Sequence, residues 1–197
     1  FKGWMSRLQK LIKEKRLDKV QVVGSLDCWG PQAEYVRNGL KLDLWEKNFE
    51  WMIYNTDFTN NVNTAFSLMT AQTMPELAQR INHWSKTKQI YWSMMKCSLP
   101  DSGSKPWLYP GIFGSKVCDL GLRKAVELFD PMAAGYKDSV KAQHKAYMQG
   151  ILKEMESAKP NIASQKQYKI YIEELDRRRN TDYRKVFPEI AEWLKDL

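Results

Sequence analysis

The most constraining feature of this 197-residue chain is a repeated change of hydrophobic period across residues 20–97. From Val20 to Asp27 the residues alternate, with Val20, Val22 and Leu26 on one side and Val23, Ser25 and Asp27 on the other. That period of two is the signature of a strand, here one whose second face turns polar at its carboxyl end. Leu42, Trp45, Phe49, Met52 and Ile53 then recur at helical spacing. Val62 to Met69 returns to alternation, with Val62, Phe66 and Leu68 on one face and the small or polar Asn63, Ala65 and Ser67 on the other. Leu77, Ile81 and Trp84 mark a second helix, and a third strand spans Gln89 to Cys97. Strand, helix, strand, helix, strand predicts parallel β/α units, because each connection is long enough for a crossover and too long for a hairpin.

Around that frame lie an opening helix, with Trp4, Leu8, Leu11 and Ile12 on one face, and a loop rich in Pro, Gly and Ser from Ser98 to Ser115. The remainder reads as helices. Three units cannot close an eight-stranded barrel. The expected fold is therefore α/β: a partial parallel (β/α) barrel of about three strands over residues 1–115, followed by a helical C-terminal region over residues 116–197. Thr73 and Glu76 have the spacing of a reciprocal helix cap, with Pro75 in the first turn. A helical pattern already running at Trp4, after a first residue that is not Met, reads as a fragment of a longer chain and not as a secretory leader.

Composition narrows the class. With 43% hydrophobic and 27% charged residues the chain has enough apolar mass for a core, and no apolar run approaches the length of a membrane helix. The net charge of +8 attracts anions. Its densest cluster, Arg177, Arg178 and Arg179 with Arg184 and Lys185, is interleaved with Glu173, Glu174, Asp176 and Asp182, which reads as a solvated helix face. Nucleic acid is accordingly not an expected partner. Cys28, Cys97 and Cys118 form no close pair, which excludes a zinc site built on cysteine pairs and points to reduced thiols in the cytoplasm.

No self-contained catalytic or metal signature is present; His83 reads as a surface or capping residue and His144 as a packing residue on an apolar stripe. One segment stands apart. Ser25 and Asp27 fall at the carboxyl end of a strand, the usual ligand end of parallel sheets, and Arg37 follows just before a helix. Arginine suits a carboxylate ligand, while Ser and Asp suit hydroxyl or amine groups. The competing reading is an Asp that caps its own loop and pairs with Arg37.

The stretch SLDCWGPQAEYVRNG, continuing to WEKNFEWM, resembles the middle of radical S-adenosylmethionine enzymes that carry a SPASM or twitch region, where a strand ending in Ser-x-Asp precedes EY-x-R-x-G and a helix. NTAFSLMTAQTMPELAQRINHW and SMMKCSLPDSGSKPWLYP are similar to the next strands of those proteins. YIEELDRRRNTDYRKVFPEIAEWL is similar to a closing helical pattern in several of them. In that family a Cys-x3-Cys-x2-Cys loop holds a [4Fe-4S] cluster that reduces S-adenosylmethionine to a hydrogen-abstracting radical. The resemblance implies that Ser25 and Asp27 lie by the cofactor's ribose or amino acid end, with Arg37 as carboxylate partner and Asn63 and Ser67 as weaker contacts. The triple-cysteine loop and the auxiliary-cluster cysteines are absent, so neither cofactor is expected to bind this chain alone. The implied partner is an amino-terminal, cluster-binding segment of the same protein, and a homodimer through an open sheet edge is the other expectation. The alternative function is a non-catalytic α/β domain using a basic surface for nucleic acid or a protein.

Overall fold

A computed structural model describes residues 1–98, 105–129 and 138–197. Its sheet has three strands, β1 (Gln21–Ser25), β2 (Thr59–Phe66) and β3 (Ile90–Lys96), in the order β1-β2-β3. Both neighbouring pairs are parallel. The register carries whole rows across the sheet: Gly24, Val62 and Trp92 form one, and Ser25, Asn63 and Ser93 the next. The expected α/β order with a helical carboxyl-terminal part is therefore present, built on an open three-stranded parallel sheet.

Helices α1 (Lys2–Lys13), α2 (Gly30–Val36), α3 (Leu42–Asn55), α4 (Leu68–Ala71) and α5 (Met74–Ser85) belong to the β/α part. After two short 3-10 turns at Pro106–Leu108 and Pro110–Phe113 come α6 (Arg123–Leu128), α7 (Asp138–Glu156), α8 (Ile162–Arg179), α9 (Tyr183–Val186) and α10 (Pro188–Leu194). Six residues of the Ser98–Ser115 loop, 99–104, lie outside the described residues. None of the described helices is long and apolar enough to cross a membrane.

Among the described residues, one face of the sheet is fully covered. Val62, Phe66, Ile90, Trp92 and Met94 on that face are buried, and the stripes of α3 and α5 contribute Phe49, Met52, Ile53, Leu77, Ile81 and Trp84. An aromatic cluster closes the layer: Trp84 lies 5.0 Å from Phe49 and 6.1 Å from both Trp29 and Trp45 between ring centroids, and Trp45 stacks on Phe49 at 4.8 Å. Gly24 makes room for this, since a β-carbon there would stand 2.8 Å from the Trp45 ring. The same core runs on into the carboxyl-terminal helices through Leu122, Met155, Tyr168, Ile172 and Phe187.

Strand and cap boundaries differ from the sequence reading in physical ways. The alternation of Val62–Met69 overruns the strand, because the chain turns at Ser67 and Leu68 opens α4. There the Ser67 backbone N–H donates to Thr70 Oγ1 at 2.8 Å, a capping contact that the sequence reading did not single out. The Thr73–Glu76 cap does not form. The Thr73 hydroxyl instead donates to the Trp29 carbonyl at 2.8 Å and accepts from the Trp29 N–H at 3.2 Å. A long-range tie to the β1–α2 turn thus replaces the local cap. That turn depends on Gly30, whose φ of +67° is left-handed and suited to a residue without a β-carbon.

Candidate functional site

Among the described residues the second sheet face is the more exposed one. Its side chains alternate with the core set: Val23 and Ser25 from β1, Asn61, Asn63 and Ala65 from β2, and Tyr91, Ser93 and Met95 from β3. Val23 is 49% exposed and Met95 70%. Ser25 at the carboxyl end of β1 lines up with Asn63 and Ser93 in the middle of β2 and β3 as a polar row in register across all three strands, with the Ser93 hydroxyl donating to Asn63 Oδ1. Parity explains the row, because side chains two residues apart share a face and parallel register keeps rows level from strand to strand.

Asp27 continues this face beyond β1 and is almost fully enclosed. Its Oδ1 accepts from the Ala65 backbone N–H at 2.8 Å and from Arg37 Nη2 at 3.1 Å, while Oδ2 lies 2.7 Å from Arg37 Nε. The pairing of Asp27 with Arg37 that the sequence left as one of two readings is therefore made. The carboxylate ties the end of β1 to β2 and anchors the α2–α3 connection. Two of the three guanidinium nitrogens are committed to it, while the Arg37 side chain remains 37% exposed.

Ser67, buried at the start of α4, and Cys97, just past β3, make the last row, fixed by the Cys97 N–H donating to the Phe66 carbonyl at 2.9 Å. The Cys97 thiol is exposed at its outer side, yet crowding on its inner side pushes its pKa up, and the nearby Asp27 charge adds to this. A hydrogen bond with Ser67 opposes both. Ser25, Asp27, Arg37, Asn63 and Ser67 thus sit on one face or at its rim, with Arg37 reaching in from the end of α2.

Sequence reading missed Ser93 and Cys97, although the alternation of Tyr91, Ser93, Met95 and Cys97 carried the needed parity. It also missed the way the tail reaches this end of the sheet. Asp176 on α8 is buried and accepts from the Tyr35 hydroxyl at 2.8 Å, the Thr181 hydroxyl at 2.6 Å and the Tyr183 N–H at 2.7 Å. Arg179 adds a bond to the Tyr35 carbonyl at 2.9 Å, and Gln32 donates to the Val186 carbonyl at 2.9 Å. The EY-x-R segment and the closing helical segment are thereby fastened to each other. No local sequence signal could have revealed that contact, which spans more than a hundred residues.

The cysteines do not make a cluster cradle. Burial pushes the Cys28 thiol up to about 12 and the Cys118 thiol up to about 11, so both are held protonated. No group of three or more His, Cys, Asp or Glu among the described residues is arranged to hold a metal ion. His144 is half-buried against β3, and its burial lowers its pKa; His83 is on the surface. In the arginine cluster, Arg177 grips Glu174 with two bonds of 2.6 and 2.7 Å and Arg178 adds a third of 2.6 Å. These bonds hold the Glu174 carboxyl down at about 2.

No protein-family model, curated protein or solved structure matches the chain.

Proposed function

We propose that this chain is part of a cytoplasmic radical S-adenosylmethionine enzyme, forming one section of the wall of an incomplete parallel β/α barrel. The observation that carries the reading is the contrast between the sheet's faces: one sealed by helices, the other more exposed among the described residues and crossed by the polar row Ser25, Asn63 and Ser93. A wall needs that asymmetry, because its inner face must leave room and hydrogen-bonding groups for what it encloses. The contact of Tyr35 with Asp176 supports it further, since it joins two of the stretches on which the resemblance rests.

The residues fit one cofactor and not the other. Ser25, Asn63 and Ser93 offer hydroxyl and amide groups in a line suited to the ribose and amino acid end of S-adenosylmethionine. Arg37 keeps its Nη1 for a ligand carboxylate after Nε and Nη2 have engaged Asp27. Asp27 acts through Arg37 and the Ala65 N–H, so it is a positioning residue. A [4Fe-4S] cluster does not fit, because it needs about three or four thiolates close together and two of this chain's three thiols, Cys28 and Cys118, are sealed in the core. The cluster and its reductive chemistry therefore belong to a partner segment, and no step is assigned to this chain beyond binding and orienting.

The test starts with the coding sequence ahead of Phe1. A Cys-x3-Cys-x2-Cys motif within about a hundred residues is expected, given the size of a barrel's missing units. The longer polypeptide, purified without oxygen and reconstituted with iron and sulfide, should then cleave S-adenosylmethionine to 5′-deoxyadenosine, and Asn63→Leu should raise its Kd for S-adenosylmethionine. A start codon close upstream with no such motif would sink the reading and leave a binding module.

A further inference from the structure

Two unfilled surfaces meet at the β1 side of the molecule. The first is the outer edge of β1. The Thr59 N–H donates to the Val20 carbonyl, and the Leu26 N–H donates to the Asn63 carbonyl. In a parallel ladder alternate residues serve one neighbour, so Val20, Val22, Gly24 and Leu26 serve β2. The N–H and C=O groups of Gln21, Val23 and Ser25 therefore point away from the sheet, and β1 is the end of the strand order among the described residues.

The second surface is on α1. This helix lies against α3, with Gln9 buried and hydrogen-bonded to Asp57, and Met5 and Ile12 half-covered beside it. Only part of its apolar side is used in this way. Phe1, Trp4, Leu8 and Leu11 form the adjoining arc, where Phe1 is 52% exposed, Trp4 is 68% exposed and the two leucines are half-covered. A helix that fills only half its apolar face is short of a neighbour.

We infer that a strand parallel to β1, placed immediately before α1 in the polypeptide, pairs with the Gln21–Ser25 edge and packs its apolar side under Phe1, Trp4, Leu8 and Leu11. Connectivity selects this occupant. In this sheet α2 and α3 connect β1 to β2, and α4 and α5 connect β2 to β3, with the apolar stripes of α3 and α5 on the covered face, and such crossovers are right-handed as a rule. Helix α1 precedes β1 and lies beside α3, where the crossover entering β1 belongs. A second copy fits poorly: a twofold axis would make the paired β1 edges antiparallel, whereas both pairings within the sheet are parallel. The incoming strand should be apolar toward α1 and small or polar toward the open face, as β2 is. The inference rests on the barrel reading above in taking the occupant from the same polypeptide.

The experiment compares the 197-residue chain with the same chain extended by the roughly 30 residues encoded ahead of it, enough for a strand and its connection. Hydrogen exchange at the Gln21, Val23 and Ser25 amides should slow about a hundredfold on extension, the protection expected when an edge becomes an interior pair. Oxidation of Trp4 by N-bromosuccinimide, mapped by mass spectrometry, should fall in parallel. Val23→Pro removes one outward N–H; the short chain should fold with it, because edge strands accept proline, while the extended chain should lose the new protection. Should Val23→Pro unfold the short chain, the exchange and Trp4 measurements on unaltered chains still decide. Unchanged exchange and oxidation on extension would overturn the inference, as would a short chain whose edge is already protected in a homodimer by sedimentation. Failure of the enzyme reading is separable: an extension that protects β1 but brings no S-adenosylmethionine cleavage removes the function and leaves the strand.

Discussion

The two faces of this sheet are made by the same three strands and do opposite things. On the helix face, Val62, Phe66, Ile90 and Trp92 are sealed against α3 and α5, and removal of apolar surface from water stabilises the fold. On the open face, Ser25, Asn63, Ser93 and Met95 contribute little burial, so stability does not explain their placement. A face that the fold does not need is where a ligand or a further element of the protein can be accommodated.

The largest test of that contrast is a pair of truncations. Trp84→Ala, in the centre of the aromatic cluster, should cost about 3–5 kcal/mol in urea denaturation. Met95→Ala, on the open face, should stay within about 0.5 kcal/mol. Comparable losses would mean that the open face is covered after all. A smaller pair sits on adjacent residues of β1. Gly24→Val drives a side chain into Trp45 and should cost about 1–3 kcal/mol, whereas Ser25→Val, facing the other way, should be close to neutral.

Asp27 sharpens the comparison, because it lies at the rim of the open face yet is enclosed. Asp27→Ala strands the Ala65 N–H and unpairs Arg37, a loss of about 1–3 kcal/mol by chemical denaturation. Asp27→Asn keeps an acceptor and should recover part of it.

The thiols give a chemical reading of the same difference. Cys97 should react with a disulfide reagent well before the buried Cys28 and Cys118. Burial favours the neutral Cys28 thiol, raising it from 9.0 to about 12. Its contribution to stability is whole below pH 9 and is lost as pH rises from there toward 12. Cys28→Ala should flatten that alkaline slope of Tm.

The smallest effect concerns His144, whose folded-state value lies below 6.5 because burial disfavours the charged ring. Its contribution is whole above pH 6.5 and declines as pH falls below it. Replacement by Gln should reduce the fall in Tm between pH 7 and 5, and an unchanged slope would place the ring in water.

The parallel pairing was legible in the strand–helix–strand succession, and the polar turn of β1 in the alternation of residues 20–27, because hydrophobic period reports which side of an element meets the core. The ends of elements were less legible. Leu68 continues the strand pattern but opens α4, since the backbone contact of Ser67 with Thr70 turns the chain. Thr73 looked like a local cap, yet its hydroxyl serves Trp29, brought alongside by the fold. Ser93 was hidden in an apolar run, and only its register with Asn63 marks it as part of the polar row.

Sequence by itself determined the order of the main strands and helices and the two-sided character of the first two strands, because these follow from short-range spacing and from how the chain can connect parallel strands. Tertiary structure decided the partners: Arg37 for Asp27, Tyr35 for Asp176, and Asn63 between Ser25 and Ser93. Such pairings depend on where distant segments come to rest after the core has closed, and no local pattern encodes that distance.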